Sequence, residues 1–351
     1  MSVENKWTRA ALKLGTAIPR ERLQTDVVRW ADASRSRRPW AVALSGGADS
    51  VALLLLLWAH WPRERARLIA LHFDHRLRAA ASTADAAFCR RVSKALGIRF
   101  RGGRWAEARN DATEAEARAA RFAFFRREMS AFGATALWLG QQKDDVVETM
   151  LMRLARGSGT GGLAAPRPVQ TIGAHRVHLR PLLSLEKREI EAALRSNGIG
   201  WRQDATNESG KYLRNRMRLD VVPRWRAANG DRDALAGAAL SRELLEEDDA
   251  ALNAWVAELA PLDARGALRL SRIRGKPRAV VRRAVHLWLG RNFPQSALSR
   301  AAFGVLMQDV ELERETRRSL GPGMFAEIRR GKLQLIRDSA KKRKGFQRRS
   351  N

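Results

Sequence analysis

The stretch Ala41-Val42-Ala43-Leu44-Ser45-Gly46-Gly47-Ala48-Asp49-Ser50 decides how the rest of the chain is read. Four apolar residues without polar alternation read as a buried strand. Residues 51–58 resume apolar at once, so the polar residues are confined to a strand-to-helix joint. Two adjacent glycines permit positive φ and let backbone N–H groups approach a ligand with no Cβ in the way. A concave row of N–H groups at a helix N-terminus binds anions, phosphate above all. Ser45 and Ser50 add hydroxyl donors, and Asp49 is placed to hold magnesium against phosphate oxygens. The lysine of a GxxxxGK(S/T) loop is missing, so this is not a Walker A sequence. The plainer reading of the same six residues is a Gly-Gly turn with Asp49 as a helix cap.

Outward from this loop, strand and helix signals alternate. Helix 51–61 stops at Pro62, and strand 67–73 runs into Asp74-His75-Arg76-Leu77-Arg78. Helix 82–96, strand 98–101, helix 113–132, strand 134–139, helix 144–154, strand 177–183 and helix 185–197 follow, with Gly97 and Gly133 as stops. The pattern predicts an α/β fold, a doubly wound parallel sheet with its ligands at the carboxyl ends of the strands. The Ser45 loop, Asp74 and residues 141–148 all fall at such ends. Residues 1–38 read as a basic lead-in with one amphipathic helix at 21–33. Past Pro223 the strand signals cease. Helices at 231–260, 278–289 and 296–310, with a closing hairpin at 324–328 and 332–336, predict a second, smaller, mostly helical C-terminal domain. The expected divisions are 1–38, a catalytic domain 39–225, a helical domain 226–338 and a basic tail 339–351, disordered by composition.

Composition narrows the partners. With 351 residues and 45% hydrophobic content the chain can fill two cores. Its 66 Lys and Arg against 37 Asp and Glu leave a net charge of +29, a field that favours a polyanion such as nucleic acid. An arginine-rich solvated surface is the bland alternative, and for the tail Lys341-Lys342-Arg343-Lys344 a solubilising role competes with RNA contact. The single cysteine, Cys89, excludes an intramolecular disulfide and a Cys-rich zinc site and points to a reducing compartment. No secretory signal is visible in the first 25 residues, and the apolar run 51–61 is too short to span a bilayer. A cytoplasmic protein with no membrane partner is expected.

The loop resembles the SGGxDS signature of the PP-loop ATP pyrophosphatases, which cleave ATP between the α- and β-phosphates. Five further segments, in order, resemble the tRNA-isoleucine lysidine synthetases. They are His72-Phe73-Asp74-His75-Arg76-Leu77-Arg78; Ala117-Arg118-Ala119-Ala120-Arg121-Phe122; Asp144-Asp145-Val146-Val147-Glu148-Thr149 with Arg156-Gly157-Ser158-Gly159; Arg180-Pro181-Leu182-Leu183; and Asp204-Ala205-Thr206-Asn207 with Tyr212-Leu213-Arg214-Asn215-Arg216-Met217-Arg218. The likeness covers residues 37–225 well and the remainder weakly.

That resemblance implies a reaction. ATP adenylates the C2 oxygen of the wobble cytidine of tRNA(Ile) with a CAU anticodon, and the ε-amine of free L-lysine displaces AMP. The codon read then changes from AUG to AUA. It implies ATP contacts from Ser45, Gly46, Gly47, Ala48, Asp49, Ser50 and His72, with Mg2+ held by Asp49 through the phosphates. Asp145 and Glu148 are implied as lysine contacts, with Arg121 near the lysine carboxylate or the phosphates, and Asp49, Arg121 and Asp145 as the catalytic set. On their own terms Asp145 and Glu148, three apart on one helical face, make a negative pocket for an ammonium in a strongly basic chain. Acidic residues also suit a helix N-terminus, which is the competing reading of Asp144 and Asp145. Tyr212, Arg214, Arg216 and Arg218 offer phosphate contacts and base stacking to tRNA. The oligomeric state is left open, a dimer included.

One departure stands out. Family members usually carry two histidines before the Asp-Asp pair, and this chain has Gln141-Gln142. Glutamine can donate a hydrogen bond but cannot take a proton near neutral pH, so a base or cation role does not carry over. Two rival readings remain. An RNA-thiolating PP-loop enzyme would need more cysteines than Cys89 provides. A catalytically inactive RNA-binding relative would fit the glutamines but not the intact loop, Asp145 and Glu148.

Overall fold

The computed structural model describes residues 5–75, 79–107, 109, 112–173, 175–203, 213–294 and 298–337. Arg76 to Arg78, Asp204 to Asn207, Tyr212 and the tail 339–351 lie outside the described residues. The chain divides into two compact units, residues 1–246 and 247–351.

The first unit opens with helices α1 (Lys6–Ala17) and α2 (Thr25–Ala33), then strand β1 (Trp40–Ala43) and helix α3 (Ala48–His60). Next come β2 (Leu68–Asp74), α4 (Ala79–Ala95), β3 (Arg99–Arg104), α5 (Glu114–Ala131), β4 (Ala136–Trp138) and α6 (Lys143–Ala155). A short α7 (Thr160–Leu163), β5 (Val169–Ile172), β6 (Arg176–Leu179) and α8 (Lys187–Ser196) complete the sheet region. Helix α9 (Leu213–Arg216) passes through a π-helical turn (Met217–Val221) into α10 (Val222–Ala228), and α11 (Ala234–Leu259) follows.

The six strands are ordered β3-β2-β1-β4-β6-β5. All neighbours are parallel except the edge strand β5, which is antiparallel to β6. From β1 the chain winds to one side through β2 and β3, then returns to the other through β4 and β6. The switch point lies between β1 and β4, where a doubly wound sheet opens a crevice at its carboxyl ends.

Strand periodicity divides the core between the faces. Trp40 and Val42 join one apolar cluster with α1, α2, α3 and α8, while Ala41 joins the other, filled by Phe124, Phe125 and Met129 of α5. Trp40 and Trp138 meet at 4.6 Å in the first cluster, with Trp30 and Trp61 packed beside them. Helix α3 is buried nearly all round, from Val51 to Trp58, as befits a helix sealed in the centre of a layer.

Two expectations change. Residues 5–33 are part of the first core and not a lead-in: Leu14 and Val27 are fully buried, and α1 packs so closely on α3 that a Cβ at Gly15 would lie 2.9 Å from the Ala59 Cβ. Helix α1 went unnoticed because Ala10, Ala11 and Leu14 form a narrow stripe among lysines and arginines. The division between units falls at 246/247 and not at 225, because α10 and the start of α11 pack on α6 through Val147, Val222 and Leu235.

The second unit contains β7 (Leu268–Arg269), α12 (Arg278–Asn292), α13 (Arg300–Glu311), β8 (Thr316–Gly321), β9 (Met324–Arg329) and β10 (Lys332–Arg337). Its strands form an antiparallel sheet in the order β7-β10-β9-β8 around its own core of Val285, Trp288 and Leu333. The expected hairpin is its β9-β10 pair, turning at Gly331 with φ 69°, and Gly321-Pro322-Gly323 forms a second turn before β9. Among the described residues no helix is long and apolar enough to cross a membrane.

If α1 belongs to the cooperative core, Leu14→Ala should destabilise the protein by about 3 kcal/mol, the usual cost of a cavity at a fully buried leucine. Urea denaturation followed by tryptophan fluorescence measures this. A change below about 0.5 kcal/mol would place α1 outside the cooperative unit.

Candidate active site

The loop after β1 is built around one hydroxyl. Ser50 Oγ accepts from the backbone N–H of Ser45 at 3.2 Å and of Gly46 at 3.1 Å, and donates to the Gly47 carbonyl at 2.9 Å. Ser45 Oγ lies 3.0 Å from Ser50 Oγ and accepts from Gly47 N–H at 3.3 Å. These bonds curl Ser45 to Ser50 into a tight ring, and Gly46 takes the positive φ of 97° that the curl requires. Gly47 is the N-cap of α3 and no side chain caps that helix. By contrast, Asn5 caps α1, Thr113 caps α5 and Gln142 caps α6 through their side chains. A helix N-terminus left without a side-chain cap at the carboxyl end of a strand presents donors suited to an anion.

Asp49 stands in the first turn of α3, and its Oδ1 is buried with no hydrogen-bond partner. Burial, reinforced by Asp145, pushes its carboxyl up to about 7, against relief from Lys187 and Arg218. The floor of the crevice is tight. A Cβ on Gly140, just beyond β4, would lie 3.0 Å from the Asp49 carbonyl oxygen and 3.2 Å from Ser50 N.

Helix α6 carries the acidic pair. Asp145 is 8% and Glu148 1% exposed. Arg214 donates from Nε to Glu148 Oε2 at 2.7 Å and from Nη2 to Asp145 Oδ1 at 2.6 Å. Arg218 donates from Nε to Glu148 Oε1 at 2.5 Å and from Nη2 to Oε2 at 3.1 Å. Asp145 Oδ2 accepts the backbone N–H of Gln142 at 3.0 Å. Burial opposes charge on both arginines, but Asp145 and Glu148 outweigh it and hold both guanidiniums above their ordinary value.

The structure therefore revises the grouping of Arg214, Arg216 and Arg218 as one RNA-facing cluster. Four residues apart, Arg214 and Arg218 share a helical face and turn to the carboxylates, whereas Arg216 lies on another face and is exposed.

Two further arginines lie close by on α5. Arg118 and Arg121 both pack over the Phe122 ring, at 4.7 and 5.8 Å from its centroid. Burial, with Arg118 and Arg214 nearby, pulls Arg121 down to about 10. Burial and Arg214 lower Arg118 as well.

His72 stands at the end of β2 beneath the loop, and its Nε2 is buried with no hydrogen-bond partner. It is buried, its Nδ1–H donates to the Leu44 carbonyl at 2.9 Å, and burial lowers its pKa. It braces the strand end beneath the loop.

The two glutamines hold the site by hydrogen bonds. Gln142 caps α6, accepting from Asp144 N at 2.6 Å. Gln141 Oε1 accepts from Arg180 Nε at 2.5 Å, and Arg180 in turn binds the Arg167 carbonyl at 2.7 Å and Gln170 Oε1 at 2.9 Å.

Several working residues escaped the sequence reading. Arg202 donates its backbone N–H to the Gly46 carbonyl at 2.9 Å and its Nε to Asp85 at 2.6 Å, clamping the loop from outside. Arg180 stands out in the sequence only within Arg180-Pro181-Leu182-Leu183, and Gly140 belongs to no motif. Each acts through a contact distant in sequence; the only local signal was Gly140 sitting at a strand end.

Residues 19–225 match the family model of the PP-loop domain. The chain belongs to the PP-loop family. A PP-loop domain uses ATP, which fits the loop at Ser45 to Ser50. The chain is similar to the tRNA(Ile)-lysidine synthase of Geobacter sulfurreducens, 40% identical over 222 residues, covering 62% of this chain and 46% of the relative. It is similar to the enzyme of that name from Symbiobacterium thermophilum, 40% identical over 213 residues, covering 59% and 44%. The Bacillus subtilis enzyme of that name is 39% identical over 187 residues, covering 52% and 39%. The chain thus spans less than half the length of these relatives. Among solved structures, the U34-tRNA thiolase NcsA of Methanococcus maripaludis, solved with its 4Fe–4S cluster, superposes with a TM-score of 0.50 at 16% identity. It covers 68% of this chain and 78% of the thiolase and shows the shared PP-loop fold.

The buried carboxyl of Asp49 makes a pH-dependent prediction. Its pKa in the folded protein, about 7, lies above the unfolded value near 4, so the folded state binds the extra proton between these values. In the ligand-free protein its charge should destabilise increasingly from about pH 4 to 7 and fully above. Asp49→Asn should therefore raise the melting temperature at pH 8, with a gain that shrinks toward pH 5. Equal effects at both pH values in thermal melts would show that Asp49 is not a desolvated acid.

Proposed function

We propose that this PP-loop protein ligates free L-lysine to C2 of the wobble cytidine of tRNA(Ile) with a CAU anticodon, using ATP. One observation carries the reading: the uncapped phosphate-sized loop follows β1 and the acidic pair Asp145 and Glu148 stands on the helix after β4, its parallel neighbour, so both lie at the carboxyl end of the sheet beside the switch point. A polyanion site beside an ammonium site suits a reaction joining a nucleotide-activated base to an amine. The similarity to named tRNA(Ile)-lysidine synthases supports the same choice.

In the first step the C2 oxygen attacks the α-phosphorus, and the bond to the β-phosphate breaks. Pyrophosphate leaves against the N-terminus of α3, whose free N–H groups are oriented before the charge develops. The orphaned Asp49 Oδ1 fits magnesium: it would hold the ion, and the ion would supply neutralising charge to the phosphates. In the second step the lysine ε-nitrogen attacks C2, and AMP departs with the original oxygen. The ε-ammonium first gives one proton to an AMP phosphate oxygen, a route that asks no titratable side chain of Gln141 or Gln142. Asp145 and Glu148 receive the ammonium end of lysine, and Arg121, without a carboxylate partner among the described residues, receives an anionic group. The target cytidine has to leave its stack to reach this crevice.

Sustained pyrophosphate release, beyond one equivalent per enzyme, should require lysine and the cognate tRNA together, because lysine clears the adenylated tRNA formed in the first step. It should fall to background when the wobble cytidine is replaced by uridine. Release that ignores tRNA would remove the lysidine reading while leaving the PP-loop assignment intact.

A further inference from the structure

The ammonium site inferred above is closed by the protein itself. Each carboxylate oxygen of the acidic pair is already taken: Asp145 Oδ1 by Arg214, Asp145 Oδ2 by Gln142 N–H, Glu148 Oε1 by Arg218, and Glu148 Oε2 by both arginines. A lysine ammonium would have to share, or take over, oxygens that already hold two guanidiniums and a backbone N–H. It cannot simply push a guanidinium into water. These side chains are only 23% and 26% exposed, and a buried carboxylate needs a cation at every stage.

The arginines have a second attraction on the other side. Arg218 reaches both oxygens of Glu148 and lies 3.5 Å from Asp145 Oδ1, so it faces the acidic pair on the helix that follows β4, the strand beside β1 and its loop. Arg214 is crowded by Arg118 and Arg121, two cations that have no carboxylate partner among the described residues. A polyphosphate at the loop would attract Arg218 and relieve this crowding. The backbone carrying the two arginines includes the π-helical turn Met217–Val221, a geometry in which a helix can shift register locally.

We propose that Arg214 and Arg218 are positioning residues that latch the ammonium site shut until a polyphosphate reaches the Ser45 loop, so that nucleotide binds before the amine. On arrival of the nucleotide a guanidinium exchanges carboxylate for phosphate, and the substrate ammonium takes the vacated oxygens. Charge is conserved at both positions. The proposal rests on the lysine reading of Asp145 and Glu148, and it adds a gate to that reading.

Linkage makes the gate measurable, because nucleotide and lysine must strengthen each other by the same factor. Calorimetry on the full chain, titrating L-lysine with and without magnesium and the uncleavable α,β-methylene analogue of ATP, should show lysine at least tenfold tighter with the nucleotide. In Arg218→Gln, lysine should bind more tightly without nucleotide, and the coupling should fall to within about twofold of unity. Arg218→Lys, which keeps the charge, should retain coupling, an outcome that a purely structural role does not predict. Wild-type coupling near unity would overturn the latch even if the variants failed to fold, and so would unchanged or weaker nucleotide-free lysine binding in folded Arg218→Gln. A parallel assay of lysidine formation separates the two claims. Product without coupling removes only the latch, whereas lysine that never binds removes the function beneath it.

Discussion

A carboxylate as enclosed as Glu148 can stay ionised only with cations placed against it, and that requirement organises the catalytic end of the sheet. Losing one partner of such a buried pair costs about 3–5 kcal/mol, because the remaining charge has no solvent to turn to. The forks of Arg214 and Arg218 meet the requirement, and in doing so tie α9 and its π-helical turn to α6. The tie continues: Asp145 binds the backbone of Gln142, Gln142 caps α6, and its neighbour Gln141 holds Arg180. Arg180 then binds the Arg167 carbonyl and Gln170, so one run of hydrogen bonds links α6, the approach to β5, and β5 itself.

The loop at the other side of the crevice is held by different means to the same end. Ser50 Oγ draws in the backbone of Ser45 and Gly46, Arg202 clamps the Gly46 carbonyl, and Gly140 lets the end of β4 approach the Asp49 backbone. Neither half is independent of the other. Burial raises the Asp49 carboxyl, Asp145 adds to the rise, and Lys187 and Arg218 oppose it.

Much of this was legible in the sequence where the determining physics is local. An unbroken apolar run, two glycines and a fresh apolar run read as strand, loop and buried helix, and helical spacing puts Asp145 and Glu148 on one face, while their choice as a ligand pair came from the family resemblance. What stayed hidden depends on distant partners. Arg202 is one arginine among many until it meets Gly46, and Arg180 needs three acceptors from two distant segments. Arg214 and Arg218 looked like RNA contacts because composition reveals a charge but not the direction it faces. Helix α1 was lost for the converse reason, since its exposed lysines and arginines outweighed a stripe of three small or apolar residues. The histidine-to-glutamine departure also reads differently in three dimensions: Gln141 and Gln142 contribute hydrogen-bond geometry, and geometry is what their neighbours require.

The excess of positive charge poses a final problem that the acidic pair must solve. A protein carrying +29 repels any cationic substrate at long range, so an amine can be held only by a local, desolvated concentration of negative charge. Left open, that concentration would take up any available cation. Filling it with guanidiniums from the same chain removes that promiscuity, because a guanidinium matches a carboxylate with two parallel bonds and an ammonium does not. An amine can then compete only when something anionic engages the arginines, and the loop that attracts such an anion lies across the same crevice. Under the proposed latch, selectivity for an amine that arrives with a polyphosphate follows from where Asp145, Glu148, Arg214 and Arg218 stand.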